Sequence, residues 1–171
     1  MSFFKTQKKE KNILDLFTYD ITTFFYGDYE EVESTDTESM FMIVYEKPLP
    51  WVELGCLDTI QFRVFFDKDN FTGSNPVNVR LFQKKGTSSL EAITKINDKI
   101  YGLYGKDDDK RGKFSEQDKI EVNNQDWERR WTIEKGESFI TVYMRPTGLE
   151  LNILFLNNLI KHTGKYLNIK G

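Results

Sequence analysis

One segment, residues 88–104, constrains the fold more than any other part of the chain. It reads SSLEAITKINDKIYGLY, and its apolar residues recur every three or four positions, at Leu90, Ile93, Ile96, Ile100, Leu103 and Tyr104. That spacing places them on one face of an α-helix. Ser88 followed by Glu91 has the form of an N-terminal capping box, and Gly105 stands where a helix C-cap favours glycine. The segment therefore predicts an amphipathic helix with one buried face.

Short apolar and alternating runs on both sides of this helix predict β-strands. Three of them precede the helix, at Met40–Tyr45, Ile60–Phe66 and Val77–Phe82. Three more follow it, at Ile120–Ile133, Phe139–Arg145 and Leu149–Phe155, and they are separated by short turns that contain glycine. Because strands and helices are grouped rather than strictly alternating, the predicted fold class is α+β. We expect a mainly antiparallel sheet, with the central helix packed on one face.

A second helix is predicted near the N-terminus. Residues 12–26 carry apolar side chains at helical spacing, at Ile13, Leu14, Phe17, Ile21, Phe24 and Phe25. Their content of Thr, Tyr and Phe also suits a strand, so both alternatives remain open. As a helix, this segment is expected on or near the sheet face opposite the central helix, where it would cover part of that face.

The 171 residues predict a single domain with three charged segments. Residues 1–11 form a basic arm, and residues 157–171 form a basic tail. Between them, residues 27–39 are predicted to be an acidic, solvated loop, which could also bind a basic partner. The formal net charge of −3 disfavours duplex nucleic acid as the main partner, because phosphate binding needs a clustered basic surface.

Cysteine usage and hydropathy favour a cytosolic protein. Cys56 is the only cysteine, so an intramolecular disulfide is not possible. The N-terminal residues contain no apolar run of signal-peptide length, and no segment has the length of a membrane span.

Residues with catalytic potential do not form a recognisable motif. His162 is the only histidine, and neither it nor Cys56 lies in a pattern typical of a nucleophile and its base. Neither a catalytic site nor a cofactor is predicted. Asp107, Asp108 and Asp109 could bind Mg²⁺ together with Asp126, which leaves a metal-assisted hydrolase as an alternative.

Two tryptophans flank an arginine in the predicted strand Ile120–Ile133. Trp127, Arg129 and Trp131 alternate and therefore share one face of a strand. They could form a stacking platform for a base or a sugar. The favoured interpretation is a core strand whose aromatic side chains pack under the helix.

Alternation also leaves aromatic residues on the second face of the predicted sheet. Ile140, Val142 and Met144 share one face of their strand, and Phe139, Tyr143 and Arg145 lie on the other. A monomer rarely leaves a large apolar patch in water, and Tyr, Phe and Arg are typical of interfaces. The residues predicted to bind a partner are Phe139, Tyr143, Arg145, Glu30, Glu31 and Glu33.

These observations predict a non-enzymatic protein–protein interaction module. It would be a toxin-neutralising, immunity-like protein or a small subunit of a bacterial multiprotein assembly. The expected partner is another protein, with a basic surface, or a second copy of the chain. Besides the hydrolase, the remaining alternative is a peripheral membrane or single-stranded nucleic-acid binder that uses the basic termini.

Overall fold

The structure, a computed structural model, describes residues 14–15, 30–49, 57–67, 77–84, 88–133, 138–145 and 148–155. These residues form one seven-stranded antiparallel sheet and two helices, which confirms the α+β prediction. The strands are β1 (Glu30–Asp36), β2 (Met40–Pro48), β3 (Thr59–Asp67), β4 (Val77–Phe82), β5 (Glu128–Ile133), β6 (Ser138–Arg145) and β7 (Gly148–Phe155). The helices are α1 (Leu90–Tyr104) and α2 (Glu116–Asn123).

The sheet consists of two antiparallel meanders joined at its centre. Its strand order is β1-β2-β3-β4-β7-β6-β5. Both helices lie in the connection from β4, at the centre, to β5, at the far edge. The last strand, β7, therefore returns to the centre and pairs with β4.

The predicted central helix is confirmed, with a shifted N-cap. Ser89 caps α1, since its side chain accepts a hydrogen bond from the Ala92 amide at 3.2 Å. Ser88, the predicted cap, instead accepts from the Leu149 amide at 3.0 Å and ties the helix start to β7. At the other end Gly105 has φ 78°, a conformation that favours glycine, and its amide donates to the Tyr101 carbonyl in the last helical hydrogen bond.

The core lies between α1 and one face of the sheet. Ile93, Ile96 and Ile100 are buried against the strands, whereas Leu90 and Leu103 at the two ends of the helix are exposed. The strands contribute every second residue to this core, as their alternation predicts: Ile60, Phe62, Val79, Leu81, Ile140, Val142, Leu149, Leu151 and Ile153. The helix thus fixes which face of each strand is buried.

The acidic segment is a strand for most of its length, so the predicted loop over residues 27–39 is wrong for Glu30–Asp36. This stretch is β1, the edge strand that pairs with β2, with a register shift between Glu31 and Glu33. Its side chains are largely exposed, as expected. The strand was missed because neither of its faces is apolar, and alternation is then invisible in the sequence.

A short helix replaces the beginning of the predicted strand Ile120–Ile133. Residues Glu116–Asn123 form α2, and β5 begins only at Glu128. Ser115 and Asp118 form a full capping box, in which each residue's side chain accepts a hydrogen bond from the backbone amide of the other. The serine–aspartate spacing was a usable sequence signal for this helix start.

The N-terminal helix prediction lies almost entirely outside the described residues, where only Leu14 and Asp15 represent it. Leu14 is buried in the core, and its carbonyl accepts a hydrogen bond from the Tyr104 hydroxyl at the end of α1. At this point the chain lies on the helix side of the sheet rather than on the opposite face. The arm at 1–11, the tail at 157–171, and with them Cys56 and His162, also lie outside the description.

Neither α1 nor α2 is long and apolar enough to cross a bilayer.

The two edges of the sheet differ in how their backbone is occupied. At β5 the Asp108 amide donates to the Arg130 carbonyl at 2.8 Å, and the Asp108 side chain accepts from the Thr132 amide at 2.9 Å. The Thr132 hydroxyl adds a further bond to Asp108 at 2.8 Å. These bonds cover the edge at β5 and block its pairing with a further strand. By contrast, within the described ranges no strand pairs with the outer edge of β1.

Replacing Asp108 by alanine tests this cover. We expect the free energy of unfolding to fall by about 1 kcal/mol, because two hydrogen bonds at a partly exposed site are lost. The Thr132 amide should exchange faster with solvent deuterium. Asp109→Ala is the matched control, since its carboxylate is largely exposed and, among the described residues, contacts Arg111 alone, at 3.3 Å. Unchanged exchange at Thr132 would show that Asp108 does not cover the edge.

Candidate binding face

The side of the sheet away from α1 and α2 carries a continuous row of polar side chains. We call it the helix-free face, because neither described helix lies on it. The row runs across neighbouring strands through paired residues: Glu46, Gln61, Arg80, Asn152, Thr141 and Arg130. The flanking positions of the same face include Arg63, Phe82, Phe139, Tyr143, Glu150 and Leu154. Strand register alone thus builds a polar centre whose flanks combine apolar and aromatic side chains with charged ones.

Hydrogen bonds connect this row across four strands. The Arg80 Nη2 donates to Glu150 Oε2 at 2.7 Å, and its Nη1 donates to Gln61 Oε1 at 3.3 Å. The Arg80 Nε lies 2.7 Å from Glu150 Oε1, close enough for an ion pair, although it is not aligned for a hydrogen bond. Gln61 in turn donates to Glu46 Oε2 at 2.7 Å. The network therefore fixes the orientation of Arg80.

Glu150 is the acceptor at the centre of the network. The Tyr143 hydroxyl donates to it, and Asn152 Nδ2 donates to its Oε1 at 3.2 Å. Burial raises the pKa of Glu150, but the hydrogen bonds from Arg80 and Tyr143 outweigh burial and hold the pKa below its ordinary value. Glu150 is therefore ionised at neutral pH, and a charged pair is held in a largely buried setting.

Arginine side chains cover two aromatic rings of the face. The Arg80 guanidinium lies 4.3 Å from the ring centre of Phe82, and that of Arg130 lies 4.5 Å from the ring centre of Phe139. Both are cation–π contacts. The aromatic residues predicted on the second face are therefore present there, held by charged partners.

The predicted partner-binding residues fall into two separate groups. Phe139 and Tyr143 lie on the helix-free face of β6, opposite Leu154 and Glu150 of β7. Arg145 ends the same strand, and its side chain is not among those that the structure describes. The glutamates 30, 31 and 33 lie exposed on β1. Five strand spacings separate β1 from β6, roughly 24 Å, so the two groups do not form one compact site.

The tryptophan strand faces the core and is not a stacking platform. Trp127, Arg129 and Trp131 are each 1% exposed. The Arg129 guanidinium donates from Nε and Nη2 to the two oxygens of Asp118, both at 2.9 Å, and from Nη1 to Asp107 at 2.8 Å. The core-strand interpretation is confirmed, with an arginine at its centre that the sequence did not mark as buried.

Asp118 accepts several further hydrogen bonds. Trp127 Nε1 donates to it at 2.9 Å, and the Ser115 amide donates at 2.8 Å. Burial raises the pKa of Asp118, but the bonds from Arg129, Ser115 and Trp127 outweigh it and hold this pKa far below its usual range. The cluster joins α2, β5 and the loop before α2, so we assign it a structural role.

The aspartates considered for metal binding point to different partners. Asp107 is buried and accepts from Arg129 and Arg111. Asp108 contacts β5, and Asp109 contacts Arg111. Asp126 is exposed. Within the described residues, no group of three His, Cys, Asp or Glu side chains is arranged to hold a metal ion.

A cavity of about 430 Å³ opens beside the end of β2. Its lining includes Glu46, Pro48, Asp58, Thr59 and Lys84. Lys84 forms an ion pair with Glu46 through Nζ, and its backbone amide donates to Asp58 at 2.8 Å. The Thr59 hydroxyl also donates to Asp58, at 2.8 Å. Among the described lining residues, Glu46, Asp58 and Lys84 already have hydrogen-bond partners within the chain, so they do not define a ligand.

Comparison with known proteins identifies no relative. No family model, no curated protein and no solved structure matches the chain.

Proposed function

We propose that this chain is a non-enzymatic, cytosolic protein-interaction module that binds a partner protein through its helix-free face. The observation that carries the proposal is the ordered network around Arg80 and Glu150, flanked by Phe82 and Phe139 under their arginines. Within this class, the roles that we favour are neutralising a toxin and serving as a small subunit of an assembly.

Residue type and order both support this surface. Tyr, Phe and Arg are enriched at protein interfaces, and Tyr and Arg are also enriched among the residues that dominate binding energy. Here Arg80 and Arg130 are already held against aromatic rings, and Tyr143 is bonded to Glu150. A surface whose side chains are fixed before binding loses less conformational entropy when a partner docks.

The acidic strand β1 is proposed to act at the rim of the interface. Glu30, Glu31 and Glu33 are exposed. Exposed charges at a rim contribute mainly to the rate of association and to partner choice. A partner with basic residues at the matching rim is therefore favoured.

The double substitution Phe139→Ser with Tyr143→Lys tests the proposal. A partner is captured from the native host, identified and purified, and its Kd is measured against wild type and variant. We expect binding to weaken by roughly 100-fold or more, because two central contacts are lost. Leu103→Ser is the matched control, since Leu103 is an exposed apolar residue on the helix side, and its Kd should not change.

Folding must be measured beside binding, because Tyr143 is bonded to Glu150. Phe139→Ser alone leaves that bond intact and should still weaken binding at least about tenfold. Wild-type affinity in a folded Phe139→Ser variant, together with lost affinity in Leu103→Ser, would place the interface on the helix layer instead.

A further inference from the structure

Arg63 is the one arginine of the helix-free face whose guanidinium remains unpaired within the described part of the chain. It lies on β3, two residues from Gln61 of the polar row. The residue is half-buried, and its Nε is shielded from solvent with no hydrogen-bond acceptor. By contrast, Arg80 bonds Glu150, and Arg130 stacks on Phe139 and lies 3.7 Å from Asp108.

Apolar residues make up most of the cross-strand row that contains Arg63. Strand register places Val44 on one side of it and Asn78 on the other, followed by Leu154 and then Phe139. Val44 is only 1% exposed. A charge beside such neighbours is poorly screened by water, so an opposite charge that reaches it is attracted more strongly than at an open surface.

An unpaired, shielded N–H lowers the stability of the free protein. Groups that reduce stability in the free state are often retained for function. Arginine has a further property that narrows the choice of ligand. Its planar fork of donors matches a carboxylate through two parallel hydrogen bonds.

We infer that Arg63 receives a side-chain carboxylate of the partner protein. The inference rests on the proposed function and adds the chemistry of one contact to it. The partner segment carries Glu or Asp opposite Arg63, with apolar residues beside it that meet Leu154 and Phe139. An extended segment that alternates acidic and apolar residues presents such a pattern, because successive side chains of a strand point to opposite sides.

A synthetic peptide that alternates Glu with Leu serves as the probe, and a peptide with Gln in place of every Glu is its control. Binding of both is measured by fluorescence anisotropy to wild type, Arg63→Gln and Arg63→Lys. We expect wild type to bind the Glu peptide about tenfold or more tightly than the Gln peptide. Arg63→Gln should lose this preference, and Arg63→Lys should retain only part of it, since lysine lacks the fork.

The folding of the variants separates this role from a structural one. Arg63→Gln should unfold at the same temperature as wild type or a higher one, because no bond of the free protein is lost. An equal preference for the Glu peptide in wild type and Arg63→Gln would overturn the inference, as would no binding of either peptide. Neither result would affect the proposed function, which the Phe139 and Tyr143 variants test with the captured partner.

Discussion

Replacement of Arg129 by methionine is expected to lower the free energy of unfolding by about 3–5 kcal/mol. Arg129 is 1% exposed and neutralises two buried carboxylates, Asp118 and Asp107. Methionine fills a similar length but donates no hydrogen bond. Both carboxylates then remain buried with fewer partners, and that desolvation cost is the physical reason for the large effect. Urea unfolding at pH 7 provides the measurement.

Arg130→Met is the matched control, one position along the same strand. The Arg130 side chain is 54% exposed and lies 3.7 Å from Asp108. Exposed pairs of this kind contribute less than about 1 kcal/mol. If the Arg129 and Arg130 variants lose similar amounts of unfolding free energy, the buried cluster around Arg129 is not what holds α2 against β5.

The pH dependence of the Arg129 variant follows from Asp118. The pKa of the Asp118 carboxyl is lowered in the folded state. The contribution of ionised Asp118 to the free energy of unfolding is therefore fully present above the unfolded pKa, near 4. The contribution is lost as pH falls toward the folded pKa. Without Arg129 this contribution is largely absent. The gap in stability between wild type and Arg129→Met should therefore narrow between pH 7 and about pH 3.

Ile96→Ala is expected to lower the free energy of unfolding by about 2–5 kcal/mol. Ile96 is 1% exposed and lies in the α1 face that packs on the sheet. Truncation removes buried methyl and methylene groups and leaves a cavity that close-packed strands cannot easily fill. Chemical unfolding monitored by tryptophan fluorescence measures the loss, because Trp127 and Trp131 belong to the same core.

Leu103→Ala is the control for Ile96→Ala on the same helix. Leu103 is 44% exposed, so its truncation should cost only about 0.5 kcal/mol. Equal losses of unfolding free energy in the two variants would mean that the buried face of α1 is not the one formed by Ile93, Ile96 and Ile100.

The apolar periodicity and the capping residues were sufficient to predict the helix and the strands at the centre of the fold. The isoleucines of α1 and the alternating strands β3, β4, β6 and β7 each bury one face, and such elements are visible in sequence. The edge strand β1 could not be recognised in this way, because an exposed strand shows no apolar alternation. The helix α2 was missed because Ile120 and Val122 resemble the start of a strand, although Ser115 and Asp118 carried a capping signal.

The candidate site was predicted only in part. Alternation placed Phe139 and Tyr143 on the face away from α1, and register confirms that placement. The network around Arg80 and Glu150 depends on β7 returning to pair with β4, a long-range contact with no local sequence signal. The sequence also did not predict the burial of Arg129, because its acidic partners lie outside its own strand, on α2 and in the loop before α2.

The central claim, that the helix-free face binds the partner, is tested most directly by methyl NMR spectroscopy of the complex. Leu154 reports on the helix-free face, and the exposed side chains Leu103 and Ile120 report on the helix layer. On addition of the captured and purified partner, the Leu154 methyl signals should shift or broaden while those of Leu103 and Ile120 stay in place. Changes confined to Leu103 and Ile120 would contradict the claim and assign binding to the helix layer.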